Sequence, residues 1–212
     1  MRVVSVNVSL GRTIQWRGRE VHTGIFKEPV TGRVMIRRAN VDGDRQSDLT
    51  VHGGEFKAVY AYASEHYAWW SRELERELPP GMFGENLTID GLDESAVAIG
   101  DRFAVGGAVL EAAQPRLPCY KLGIRFEDAL MPRRFMRAGR PGIYFRVVEE
   151  GDVGAGDPVT RTYEEPHRIS VAALVSLLRL ETRDPELARR VLDVPALPPS
   201  WRELLHAVPE PA

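Results

Sequence analysis

Short apolar runs separated by turn-forming residues fill the first two-thirds of the chain, the pattern of half-buried strands rather than of long helices. Val3, Val4, Val6 and Val8 begin it as a β-rich run. Residues 12–16 and 20–25 flank Arg17-Gly18-Arg19 and predict a hairpin. Further strands are predicted over 33–38, 57–63, 86–89, 102–105, 109–113, 143–148 and 158–163. Gly106-Gly107 separates two of them, a two-residue loop that hairpins favour because glycine tolerates positive φ. Such a succession, with few helices between the strands, predicts a closed or nearly closed antiparallel barrel.

One helix interrupts the strands: Ser64 can cap a segment that runs to Leu78, where Pro79-Pro80 stops it. Two shorter helical stretches are predicted at 120–125 and 127–137. From His167 onward the pattern becomes helical. Ser170 caps 171–179, Asp184-Pro185 opens a helix ending at Leu192, and Ser200 caps 201–205. The expected class is therefore mainly β with α (α+β): a barrel over residues 1–164 and a three-helix region over 165–212 packed on it.

Composition narrows the function. With 43% hydrophobic and 27% charged residues the chain of 212 residues is globular, and it can bury a core without staples. A net charge of -2 excludes a whole-surface grip on a nucleic-acid polymer. No stretch approaches the roughly 18 apolar residues of a membrane span. The first ten residues lack the basic and apolar regions of a secretory signal, so a cytoplasmic location is expected. A lone cysteine excludes a disulfide framework or a site of several thiolates, and suits a reducing compartment. The basic residues are unevenly chosen: 25 are arginine, and only Lys27, Lys57 and Lys121 are lysine.

Three segments could carry chemistry. Residues 39–57 hold four carboxylates (Asp48 among them), His52, Lys57 and three glycines; His52-Gly53-Gly54 before a strand suits an anion-binding turn, against the plainer reading of a solvated loop. Gly81-Met-Phe-Gly-Glu-Asn86 reads equally as a turn into a strand or as a loop presenting Asn86 to a heterocycle. Gln114-Pro-Arg116-Leu-Pro-Cys119-Tyr-Lys121 contains the one cysteine. A single cysteine is often a small buried hydrophobe, but nearby cations favour the thiolate, the form that attacks or binds metal. The glycines of 151–156 match a phosphate loop weakly, because no helix with Lys-Ser or Lys-Thr follows; a turn joining strands is the better reading.

Taken in order, Lys27-Glu-Pro-Val, Gly43-Asp44 with Gln46 and Asp48, His52-Gly53-Gly54 with Lys57-Ala-Val-Tyr60, Phe83-Gly-Glu-Asn-Leu87, Ile99-Gly-Asp101, Gln114-Pro-Arg116 with Pro118-Cys119, and Gly142 with Tyr144 resemble the MOSC domain family, in its YiiM-like branch. The resemblance implies a β-barrel that binds the molybdenum cofactor (a molybdenum–molybdopterin group) with a three-helix appendage. It implies Cys119 as the metal ligand, Asn86 as a cofactor contact, and Lys27, Lys57, Arg116, Gln114 and Asp48 around the pterin phosphate or the substrate. His52 suits proton supply, since an unperturbed imidazole titrates near neutrality.

The activity implied is reduction of N-hydroxylated compounds, such as N-hydroxylated purine bases and hydroxylamines. The chain has no dinucleotide-binding glycine motif and no cysteine array, so electrons are expected from a separate redox protein. A homodimer is a further expected assembly. Two other readings stay open: a cofactor or sulfur carrier using Cys119 without turnover, and a metal-free thiol enzyme pairing Cys119 with His52.

Overall fold

A computed structural model describes residues 1–47, 53–179 and 184–206. Within them the chain runs β1 (Arg2–Val8), β2 (Arg12–Trp16), β3 (Arg19–Thr23), β4 (Glu28–Pro29), β5 (Arg33–Arg37), β6 (Asn40–Val41), a 3-10 turn (Glu55–Lys57), β7 (Val59–Ala63) and α1 (Ser64–Glu73). It continues through β8 (Leu87–Asp90), β9 (Arg102–Val105), β10 (Ala108–Pro115), α2 (Tyr120–Phe126), α3 (Met131–Ala138), β11 (Ile143–Glu149), β12 (Gly151–Gly154) and β13 (Val159–Tyr163). Three helices finish it: α4 (Val171–Leu178), α5 (Pro185–Leu192) and α6 (Pro199–His206). The class is mainly β with helices, as expected.

Eight strands form the main sheet in the order β13-β9-β10-β11-β7-β8-β1-β4, with β12-β5-β6 and the hairpin β2-β3 as smaller sheets. The barrel does not close as a ladder. The start of β1 approaches the chain before β13, with Val3 N–H donating to Asp157 O at 2.9 Å and Val159 N–H to Met1 O at 2.9 Å. Between them only a single Arg2–Pro158 bridge forms. Proline has no N–H to extend it. Nor is the sheet wholly antiparallel: β7 and β8 run parallel, because α1 carries the chain back between them.

Strand β7 explains the two layers. All five of its residues are buried, and successive side chains point to opposite faces. Val59, Ala61 and Ala63 enter an aliphatic core with Leu87, Ile89, Leu110, Phe145 and Val147. Tyr60 and Tyr62 enter an aromatic layer with Trp70, Phe83 and Phe135, covered by α1, α2 and α3. The C-terminal helices join the aliphatic core through Val171, Leu174, Val191, Val194 and Trp201.

Local signals placed several elements well. Arg17 and Gly18, with φ of 51° and 75°, make the two-residue turn of the β2–β3 hairpin. Ser170 accepts from Ala173 N–H at 3.1 Å, and Asp184 from Glu186 N–H at 3.0 Å. Elsewhere the structure differs. Ser64 is the first helical residue rather than a cap, and α1 ends at Glu73 because Glu75 turns left-handed at φ 51°. Glu127 is left-handed too, ending α2, so α3 starts at Met131. Helix α6 begins at Pro199, which puts Ser200 inside it. The glycines at 151 and 154 belong to strand β12, paired with β5, rather than to a simple turn.

Candidate active site: a lysine-lined cleft at one end of the sheet

The ends of β1 and β10 and the starts of β7, β8 and β11 meet at one end of the sheet, where loops from β3, β6 and β10 border an open cleft. All three lysines of the chain line it, together with Arg45, Arg116 and Cys119. Asp44 is the one carboxylate among its described lining residues. A chain with a net charge of -2 thus concentrates positive charge in one concave place.

Buried bonds fix the floor. Lys27 forms an ion pair with Asp44, both almost fully buried. The other oxygen of Asp44 accepts from Asn86 Nδ2–H at 3.1 Å, and Ser9 N–H donates to Oδ1 at 2.9 Å. Burial pushes the Lys27 ammonium below its ordinary pKa, and the Asp44 carboxylate opposes that shift. Asn86 is tied to the sheet as well, its Oδ1 accepting from Tyr60 N–H at 3.1 Å. Asn86 thus lines the cleft and is also linked through Asp44 to Lys27.

The loop 81–86 is built to approach closely. A Cβ on Gly81 would lie 2.6 Å from Lys27 O, and one on Gly84 2.6 Å from Ile25 Cδ1; both glycines have positive φ. Glu85, fully buried, gathers the loop: its carboxyl accepts from Gly81 N–H at 2.8 Å, Phe83 N–H at 3.2 Å and Thr88 Oγ1–H at 2.8 Å, and also from the Tyr67 hydroxyl. Burial raises its pKa. The same loop presents Phe83 O to the buried Arg116 guanidinium, which also lies 4.8 Å from the Tyr60 ring centroid.

Cys119 is half-buried, in extended backbone at the residue before α2, between Arg116 and Lys121. Arg116 and Tyr144 both lie close enough to interact with a thiolate at this position. Lys121 is buried and donates to Ser47 Oγ at 3.3 Å. Lys57 is half-buried, and burial lowers its pKa. Gln46 Nε2–H donates to Lys57 O at 3.0 Å, so Gln46 supports the turn that aims this lysine.

Of the residues singled out in the sequence, Lys27, Lys57, Asn86, Arg116 and Cys119 meet in the cleft. Gln114 does not line it. Its Oε1 accepts from Trp201 Nε1–H at 2.6 Å and its Nε2–H donates to Phe56 O at 2.9 Å, which fastens α6 to the sheet. Asp48 and His52 lie outside the described residues. Sequence reasoning gave no role to Asp44, Tyr60 or Tyr144. Tyr60 and Tyr144 are register partners with ring centroids 4.9 Å apart. Their signal was available in the alternation of β11, where Ile143, Phe145 and Val147 take the core and leave Tyr144 on the opposite face. Burial raises the Tyr144 pKa, with Arg116 opposing, so the phenol keeps its proton at neutral pH.

A cleft at the end of a mainly β sheet, with one thiol among cations, now has comparisons to stand beside. The MOSC domain model matches residues 48–160, and the YiiM-like, 3-alpha helix domain model matches residues 169–207. The chain belongs to the MOSC domain family. Among its relatives is the uncharacterized protein YflK of Bacillus subtilis (strain 168), 40% identical over 200 residues that cover 94% of this chain and 90% of that one. The crystal structure of YiiM from Geobacillus stearothermophilus superposes with a TM-score of 0.81 at 32% identity, covering 97% of both chains. A protein of Gibberella moniliformis (strain M3125 / FGSC 7600) named "Reductase" is 35% identical over 147 residues, 68% of this chain but 26% of that longer one. Among the described residues no helix is long and apolar enough to cross a membrane.

Proposed function

We propose that this protein binds the molybdenum cofactor in the lysine-lined cleft, with Cys119 as metal ligand, and reduces N-hydroxylated compounds such as N-hydroxylated purine bases and hydroxylamines. The observation that carries this reading is the meeting of the single cysteine with all three lysines and Arg116 in one cleft. The donor set fits such a group. A soft thiolate suits a soft, dithiolene-bound metal, and several cations suit a phosphate. Among the described residues no cluster of three or more His, Cys, Asp or Glu could hold a metal ion.

In this reading Lys57 and Lys121 hold the phosphate, Lys27 is fixed beside them by Asp44 and Asn86, and Arg116 supplies the positive charge that a ligating thiolate needs. Tyr144 borders the cleft as a neutral phenol able to donate a hydrogen bond to a polar substituent. His52 keeps the proton-delivery role on the sequence argument alone. The chemistry that the cofactor supplies when bound is removal of the oxygen of an N–OH group at the expense of two electrons and two protons, giving N–H and water. Those electrons come from a separate redox protein in this proposal, and the protein works in the cytoplasm, as a homodimer or alone. The relationship to a protein named reductase supports the reaction class, and the wider extent of that protein agrees with a domain that works beside further parts.

Protein made in a molybdenum-supplied host tests the reading. The wild type should carry molybdenum and pterin near one per chain and reduce N6-hydroxyadenine with a chemical electron donor, whereas Cys119→Ala should lose both metal and activity with an unchanged circular dichroism spectrum. A Cys119→Ala protein that keeps its molybdenum ends the assignment. A persistent extra sulfur atom on Cys119 by mass spectrometry, without any reduction, would replace it by the carrier reading.

A further inference from the structure

A second cavity, of about 320 Å³, lies beside the cationic cleft, in the seam between the sheet and α6. Lys57, Leu117 and Tyr144 line both, so the two spaces share a wall. Their chemistry differs across it. The cleft carries five cations, but the described lining of the seam has Lys57 as its one charge, at the border, with Pro115, Trp201 and Leu204 beyond and only the neutral Gln114 and Ser200 as further polar groups. An anion is favoured in the first space, and a flat, largely apolar ring in the second.

We infer that this seam is the binding site for the ring of an aromatic or heteroaromatic substrate, with α6 as its specificity wall. That ring would carry its reducible N–OH substituent toward the Lys57–Tyr144 border, a detail that rests on the reductase reading; the binding of the ring does not. The wall is preformed: Trp201, 3% exposed, is pinned through Gln114 to Phe56 O. The mouth is apolar, because Leu117 and Leu204 remain 45% and 38% exposed on separate elements that face the same space. Apolar side chains left in water around a concavity are one mark of a ligand groove. The three-helix region thus becomes part of the substrate site instead of a separate appendage.

Adenine is a suitable probe, since it has the flat heteroaromatic ring without a reducible group. Titrated into the full-length protein, it should shift the methyl resonances of Leu117 and Leu204 and quench tryptophan fluorescence. Leu204→Trp, which fills the mouth from an exposed position, should weaken adenine at least about tenfold and leave inorganic phosphate binding unchanged. Trp201→Phe should keep adenine binding but lose most of the quenching. Unaltered adenine affinity in Leu204→Trp, shifts confined to methyls outside the seam, or no adenine binding at millimolar concentration would each overturn the inference. The readout needs neither molybdenum nor electrons. A wild-type protein without molybdenum would therefore end the reductase reading and leave the seam standing.

Discussion

Two groups of basic residues divide this molecule. Away from the cleft, several arginines meet carboxylates of the protein itself. Arg33 binds Asp152 and Asp157, Arg37 binds Asp42 and Glu150, Arg102 and Arg146 share Glu111, and Arg161 and Arg168 share Asp101. In the cleft, five cations have Asp44 as the one carboxylate among the described lining. The first arrangement closes charge within the protein, and the planar guanidinium suits it because it binds carboxylates with two N–H groups at once. In the proposed function the second turns positive charge toward a bound anion, where the compact ammonium of lysine adapts to more than one oxygen geometry. That division gives the scarcity of lysine a physical meaning.

The largest effect expected is at Asp44. Asp44→Ala leaves Lys27 buried without its counter-charge and frees Ser9 N–H, at about 3–5 kcal/mol of stability by the usual cost of breaking a buried pair. Urea unfolding measures it, and a cost under ~1 kcal/mol would mean that the pair is solvated like the surface ones. Next, Lys121→Ala should weaken inorganic phosphate about tenfold by calorimetry, in keeping with the loss of one charge-assisted hydrogen bond, with little change in unfolding.

A smaller, pH-dependent effect belongs to Glu85. Its carboxyl is raised by burial above the ordinary value of 4.5, so the folded chain keeps a proton that the unfolded chain has released. Its contribution to stability is full below pH 4.5 and is lost as pH rises through the folded value. Urea midpoints followed upward from that pH should fall in the wild type, and Glu85→Gln should lack this component of the slope. An identical slope in both proteins would show that Glu85 is ionised throughout. The smallest effect is expected at Arg37: its exposed pairs with Asp42 and Glu150 are screened by solvent, and Arg37→Ala should leave phosphate affinity where it was.

The parts of the fold that could be read from the chain are those fixed by near neighbours. The β2–β3 hairpin follows from Arg17-Gly18, and α4 and α5 from the caps at Ser170 and Asp184, because each decision is made within a few residues. Strands β4 and β6, two residues each, could not be seen, since pairing with distant β1 and with β5 alone defines them. The parallel pairing of β7 with β8 was hidden for the same reason. Gln114 was read as a cofactor residue because it sits in a motif beside Arg116; the sequence could not show that its amide bonds Trp201, 87 residues away, and borders the neighbouring seam.

By itself, the sequence determined which residues were available for chemistry: one cysteine, three lysines and a set of glycine-flanked loops, all within recognisable motifs. It also determined the class of fold, since alternation and turn residues act locally. Only the tertiary structure decided that Lys27, Lys57 and Lys121 share a cleft with Cys119, that Asp44 pairs with Lys27, and that α6 walls a second cavity next to them. Those decisions depend on contacts between residues far apart in the chain. The free energy of such contacts comes from burying two apolar layers on either side of β7, which no local pattern contains.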